Sequence, residues 1–239
     1  MPQSSIENTL ASRILFEDNH LIVVNKLPSE IVQGDKTGDI TLADDIKKYI
    51  KEKYDKPGEV FLGTVHRLDR PVSGIVLFAR TGKALARMNE LFRSREISKT
   101  YWAVTAQKPP AAAGTLIHYL IKNEEKNKSR AYPHEVKGSL RAELHYRLLG
   151  SIERYHLLEV NPLTGRHHQI RVQLATMGCV IKGDLKYGAP RSNADASIHL
   201  HARKLSFLHP VKKEPMEIIA PPPNEAVWNA FLNLPDLLL

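Results

Sequence analysis

His66-Arg67-Leu68-Asp69-Arg70-Pro71-Val72-Ser73-Gly74-Ile75-Val76-Leu77-Phe78-Ala79-Arg80 reads as a short polar loop that runs straight into a buried strand. Residues 75–79 are β-branched or large and apolar, the composition of a strand held in a core. Asp69 sits between Arg67 and Arg70 and is followed by Pro71, Ser73 and Gly74, which favour a turn. A carboxylate on a loop that feeds a buried strand is anchored on one side and open on the other, the usual placement of a reactive group. The flanking guanidiniums favour its ionised form and can receive a polyanion. Spacing alone favours the plainer alternative, a surface Arg-Asp-Arg cluster that caps a turn.

Working outward, residues 14–17 and 21–25 read as two strands around the turn Asp18-Asn19-His20. Thr41 is an N-cap for a helix through Tyr54, with Asp44 completing a capping box and Leu42, Ile46, Tyr49 and Ile50 forming its apolar side. Thr81 caps a second helix, in which Ala84, Leu85, Met88, Leu91 and Phe92 recur at helical spacing. The pattern then turns to strands at 99–105, 115–121, 140–149 and 155–160, with the charged stretch 123–130 as an exposed hairpin or loop. Gly165 introduces a helix over about 166–177, stopped by Gly178. Strands at 197–208 and 216–220 precede Pro221-Pro222-Pro223 and a terminal helix with Val227, Trp228 and Phe231. Many strands without strict βαβ alternation predict an α+β domain on a mixed, largely antiparallel sheet.

The chain has 239 residues, 42% of them hydrophobic, enough for a sizeable core. Residues 1–13 are expected to be a disordered extension and 14–239 one domain. No apolar run is long enough to cross a bilayer, and the opening MPQSSIENTL has no signal-peptide pattern. The single Cys179 excludes an intramolecular disulfide and fits a reducing cytoplasm. A net charge of +8 suggests a polyanionic partner, with nucleic acid the first candidate, although charge does not separate RNA from DNA or an acidic membrane. Among the eleven histidines, His199 and His201 share a strand face, but no cysteine or carboxylate accompanies them, so no metal site is expected.

Several blocks, in order, carry a family resemblance. The stretch from Leu15 to Lys26, LFEDNHLIVVNK, resembles an opening hairpin, and His66 to Gly74 resembles the signature H-R-L-D-x-x-[ST]-S-G. Lys99-Thr100-Tyr101-Trp102-Ala103-Val104 resembles a K-x-Y-x-A-x-V strand. Thr164-Gly165-Arg166-His167-His168-Gln169-Ile170-Arg171-Val172 resembles T-G-R-x-H-Q-[IL]-R-V. Gly183-Asp184, Tyr187-Gly188 and Leu200-His201-Ala202 complete the set. Together they resemble the RluA-type RNA pseudouridine synthases from about Ile14 to Ala220, and ordered blocks are far more specific than one motif.

The resemblance implies the pseudouridine synthase fold, a bent central sheet with flanking helices and a cleft across it. It implies isomerisation of uridine to pseudouridine in a structured RNA, ribosomal or transfer, by a cytoplasmic monomer that needs no cofactor. It makes Asp69 the catalytic carboxylate, Arg171 its orienting cation and Tyr101 the active-site phenol. Arg171 is expected to emerge from its helix at the edge of the core, beside Ile170, Leu174 and Met177, and to pair with Asp69. Arg67 is expected to fill the space left by a flipped nucleotide or to hold its phosphate. Leu200 is expected to pack on the base, and Arg166, His168 and Gln169 to contact RNA or hold their loop. Val72, His167 and Glu30 depart from the family pattern, which more often has Thr, Thr or Ser, and a turn glycine there. The dozen residues before the first strand leave no room for the S4-like domain of many relatives, so RNA choice is expected to rest on the catalytic domain. Two rivals remain: a catalytically inactive RNA-binding protein on the same scaffold, and a nucleoside or phosphodiester hydrolase with Asp69 as general base.

Overall fold

A computed structural model describes residues 9–34, 38–235 and 237. In chain order its strands are β1 (Ile14–Glu17), β2 (Leu21–Lys26), β3 (Gly63–Thr64), β4 (Ser73–Ala79), β5 (Ser98–Thr105), β6 (Ala113–Asn123), β7 (Lys128–Tyr132), β8 (Leu140–Ile152), β9 (Tyr155–Pro162), β10 (Leu200–Leu208) and β11 (Pro215–Ile219). The helices are α1 (Leu42–Lys53), α2 (Gly82–Arg93), α3 (Gln169–Thr176) and α4 (Ala226–Leu232). The chain divides into two compact units, Met1–Ile97 with Lys204–Pro221, and Ser98–Arg203 with Pro222–Leu239. Strand pairings inside both units are antiparallel, as expected for an α+β fold on a largely antiparallel sheet.

In the first unit β2 lies between β1 and β4, and the register sets Val23 against Leu77 and Lys26 against Gly74. Ile22, Val24, Val76 and Phe78 meet Leu42, Ile46 and Ile50 of α1 in one apolar cluster. Burying each such aliphatic side chain contributes about 1.5–3 kcal/mol. Thr41 starts α1 as its spacing suggests: its hydroxyl accepts from Asp44 N while the Asp44 carboxylate accepts from Thr41 N. Thr81 caps α2 in the same way, by accepting from Ala84 N. At Gly63 on β3 a Cβ would stand 2.6 Å from a terminal methyl of Leu85 on α2, so a larger residue there would require that side chain to move. Residues 1–8 of the extension expected to be disordered lie outside the described residues. Its remaining part includes a 3-10 turn at Ala11–Arg13.

The second unit is a run of antiparallel strands in the order β5-β9-β8-β6-β7. Trp102, Val104, Leu149 and Leu157 on its strands pack with Trp228 and Phe231 of α4. The charged stretch 123–130 resolves as a hairpin whose return arm begins β7. Asn123 Oδ1 accepts from Lys126 N at 2.7 Å, and Asn127 takes φ 43° to complete the reversal. Helix α3 starts at Gln169 rather than near 166, because His168 adopts a left-handed backbone and the residues before it are held in a loop. Likewise β10 starts at Leu200, three residues later than expected, the segment before it being occupied by other partners.

Among those residues is His199, buried at 3% exposure and stacked on Trp228. Its Nε2 donates to Glu225 and its Nδ1 accepts from Asn193, each at 2.9 Å, which assigns the neutral tautomer. Burial pushes this imidazole below its ordinary pKa, with Glu225 opposing. Its stabilising contribution is therefore complete above about pH 6.5 and is lost as pH falls through the lower folded value. Denaturant unfolding between about pH 8 and pH 5 should reveal this loss, and His199→Gln should make the dependence shallower. An unchanged slope would assign the acid sensitivity to other groups.

Candidate active site

Asp69 lies on the loop between β3 and β4, and the loop backbone is fixed from behind. The Asp69 carbonyl accepts from Val72 N at 3.0 Å, closing a turn. The Arg70 carbonyl accepts from Ser29 N at 2.9 Å and from the ammonium of Lys26 at 3.1 Å. His66 at the upstream end accepts the amide of Leu77 on Nε2 at 3.2 Å and stacks on Phe92. Downstream, Gly74 takes φ 111°, a conformation that side chains resist, just where the loop enters β4 opposite Lys26. Asp69 is half-buried and Arg67 is exposed. The exposed Arg70 donates to the Ser29 carbonyl and to Asp39, at 3.1 and 3.2 Å. The result is a carboxylate on a backbone with little freedom, suited to act as nucleophile or base without reorganising.

In the second unit Tyr101 lies on β5 opposite Val160. Trp102 and Val104 point into the α4 cluster, so alternation directs Tyr101 and Ala103 to the other face. The loop before α3 is built around Gln169, whose Oε1 accepts from Thr164 Oγ1 at 2.7 Å and Arg166 N at 3.0 Å. Its Nε2 donates to the Glu143 carbonyl at 3.0 Å. Buried and engaged at both ends, Gln169 holds the loop rather than facing a ligand. Arg166 donates from Nε to the Arg141 carbonyl at 3.2 Å.

His168, with φ 52°, and Arg171 converge on Tyr187. Ser129 N donates to the Tyr187 hydroxyl at 2.8 Å, and that hydroxyl meets His168 Nδ1 at 2.9 Å. The guanidinium of Arg171 lies 5.2 Å from the Tyr187 ring centre. Its Nε and Nη2 donate to the two carboxylate oxygens of Asp184, at 2.7 and 2.8 Å. The expectation that Arg171 emerges at the core edge is corrected: it is 5% exposed, and a carboxylate of its own unit fixes its plane. Leu200 is buried at the start of β10.

Sequence reasoning assigned no role to Asp184, Tyr187 or Lys26. A signal existed for the first two, since Gly183-Asp184 and Tyr187-Gly188 are matched blocks and a buried arginine needs a counter-charge. Among the described residues no group of three or more His, Cys, Asp or Glu is placed to hold a metal ion. No helix among them is long and apolar enough to cross a membrane.

Residues 20–176 match the family model described as RNA pseudouridylate synthase. The chain is 31% identical over 218 residues to the ribosomal large subunit pseudouridine synthase C of Vibrio vulnificus, covering 89% of this chain and 66% of that protein. It is 33% identical over 227 residues to the ribosomal large subunit pseudouridine synthase D of Xylella fastidiosa, again covering 89% of this chain and 66% of the relative. The chain thus spans just under two thirds of the length of either relative. Among solved structures, human RNA pseudouridylate synthase domain containing 4 superposes with a TM-score of 0.75 at 27% identity, covering 90% of both chains.

Proposed function

We propose that this chain, which belongs to the RNA pseudouridylate synthase family, isomerises uridine to pseudouridine in a structured RNA. The reaction breaks the N1–C1′ glycosidic bond, turns the detached uracil and joins its C5 to C1′. The C5 proton leaves and N1 gains one, so atoms balance and nothing is oxidised. Asp69 is the reacting carboxylate. The observation that carries this reading is the rigid mounting of its loop, within the segment that matches the family. Arg171, its plane set by Asp184, is the orienting cation, and Tyr101 offers a ring to the pyrimidine and an oxygen for proton transfer. Leu200 packs against the base, and Arg67 occupies the space of the flipped nucleotide or binds its phosphate. Arg166 and His168 contact RNA from the loop that Gln169 holds.

The names of the Vibrio and Xylella relatives favour large-subunit ribosomal RNA over transfer RNA as the substrate. A monomer in the cytoplasm fits this reading and the lone buried thiol of Cys179. Incubation with ribosomal and transfer RNA, followed by chemical mapping, is expected to yield pseudouridine at discrete positions. Free uracil in place of pseudouridine would indicate a hydrolase, and binding without product an inactive scaffold.

RNA affinity is expected to fall steeply with salt, because lysine and arginine contacts to phosphates release counterions. Filter binding between about 50 and 200 mM salt checks this, with a loss of roughly 10³-fold or more for six or more phosphate contacts. A flat response would point to a small-molecule substrate.

A further inference from the structure

The 3-10 turn near the N-terminus reaches the Asp69 loop through contacts that lie wholly within the first unit. Arg13 grips the carboxylate of Glu30 with both terminal nitrogens, at 2.8 and 2.9 Å. The same carboxylate accepts Leu27 N at 2.8 Å, closing the loop after β2. Inside that loop the ammonium of Lys26, fully buried, donates to the carbonyls of Leu27, Glu30 and Arg70 at 2.8, 3.0 and 3.1 Å. An ammonium has three protons, and these carbonyls account for all of them. One cation therefore ties the loop after β2 to the residue that follows Asp69. Ser29, just before Glu30, takes the left-handed backbone at φ 71°, which turns the loop back toward Arg70.

The charges around Lys26 oppose one another. Burial lowers its pKa to about 7, while Glu30 and then Asp69 hold it up and Arg13 and Arg70 push it down. Asp39, paired with Arg70 at 3.2 Å, offsets part of that guanidinium.

We propose that Glu30 is a positioning residue for the reaction: clamped by Arg13 and bound to Leu27 N, its carboxylate holds the loop whose carbonyls receive Lys26, and Lys26 in turn fixes the backbone carrying Asp69. The proposal rests on the reading of Asp69 as the reacting carboxylate. Loss of the proton from Lys26 removes one of its three donors and frees a carbonyl, so turnover declines on the alkaline side as the loop loosens.

The test is the pH profile of kcat for pseudouridine formation in Glu30→Gln and Arg13→Gln. Glu30→Gln keeps an acceptor for Leu27 N but removes the charge that supports the ammonium. It should lower kcat roughly 10- to 100-fold with little change in KM for RNA, since a misplaced reactive group is costly even when substrate stays bound. Its alkaline limb should move to lower pH. Arg13→Gln removes a cation that disfavours the ammonium, so its limb should move to higher pH although kcat at neutral pH falls. Opposite displacements are not produced by loosened packing alone. Thermal unfolding of each variant verifies that it is folded. Wild-type kcat and profile in Glu30→Gln, or lower kcat in both variants with unmoved limbs, would overturn the proposal. If Glu30→Gln does not fold, Arg13→Gln decides, and an unmoved limb there is sufficient to reject it. An active Asp69→Asn would instead remove the parent reading, whatever Glu30 does. An inactive Asp69→Asn beside an unaltered Glu30→Gln profile would reject this inference alone.

Discussion

Asp69→Asn is expected to abolish pseudouridine formation, by at least about 10³-fold, while RNA affinity and the unfolding midpoint stay close to wild type. Asparagine nearly matches the shape of aspartate but supplies neither the charge nor the basicity that the chemistry uses. The loop should survive the change, because the backbone carbonyls of Asp69 and Arg70, which receive Val72 N, Ser29 N and the Lys26 ammonium, are left in place by the substitution. A modest cost is expected through Lys26, which loses one of the two anions that favour its ammonium. Single-turnover product formation with the purified variant, alongside filter binding, separates the two effects. Wild-type product yield would sink Asp69 as the reacting group.

The second large effect is expected at Arg171 and Asp184, whose side chains are only 6% and 1% exposed. Removing one member of an enclosed pair leaves the other charge buried without its counter-ion, so Asp184→Ala should destabilise by about 3–5 kcal/mol in denaturant unfolding. Replacing both with apolar residues of similar volume should recover much of that stability without recovering activity. Arg171→Ala should combine a similar stability loss with a loss of turnover larger than the loss of binding. If Arg171 serves Asp69, removing both should cost little more activity than removing Asp69 alone, because groups acting as a unit are not additive. Independent, multiplicative losses would assign Arg171 to another task, most simply a phosphate contact.

The elements legible in the sequence were those whose signals are local. Thr41 and Thr81 start their helices because a hydroxyl satisfies amides within the next turn, and no distant partner is needed. Residues 75–79 announce a strand because they are continuously apolar, and the structure buries all of β4. The start of α3 has no local signal, because it depends on distant residues. Gln169 is drawn to the Glu143 carbonyl, and the Ser129 hydroxyl donates to the His167 carbonyl at 2.7 Å, which keeps 166–168 out of the helix. The outline of β7 was hidden because Lys128 and Arg130 are exposed on a hairpin, leaving no apolar alternation to read. Asp69, Tyr101 and Arg171 were nominated by motif. The use of Asp184 as the partner of Arg171 has no periodic signature, since the two are joined only by the path of the chain after α3.

The two tryptophans, Trp102 and Trp228, lie in the same apolar cluster of the second unit. Indole fluorescence therefore observes that unit alone, and the unit that carries Asp69 is silent at tryptophan wavelengths. His199 stacks on Trp228 with ring centres 5.2 Å apart, so protonation of that imidazole should also quench the emission without unfolding. A melt followed by tryptophan emission can thus look unaffected while the Asp69 loop has already loosened, or can report an acid transition in which no strand has parted. Backbone circular dichroism or hydrogen exchange samples both units, and a midpoint that differs between optical probes would mark the chain as unfolding in more than one step.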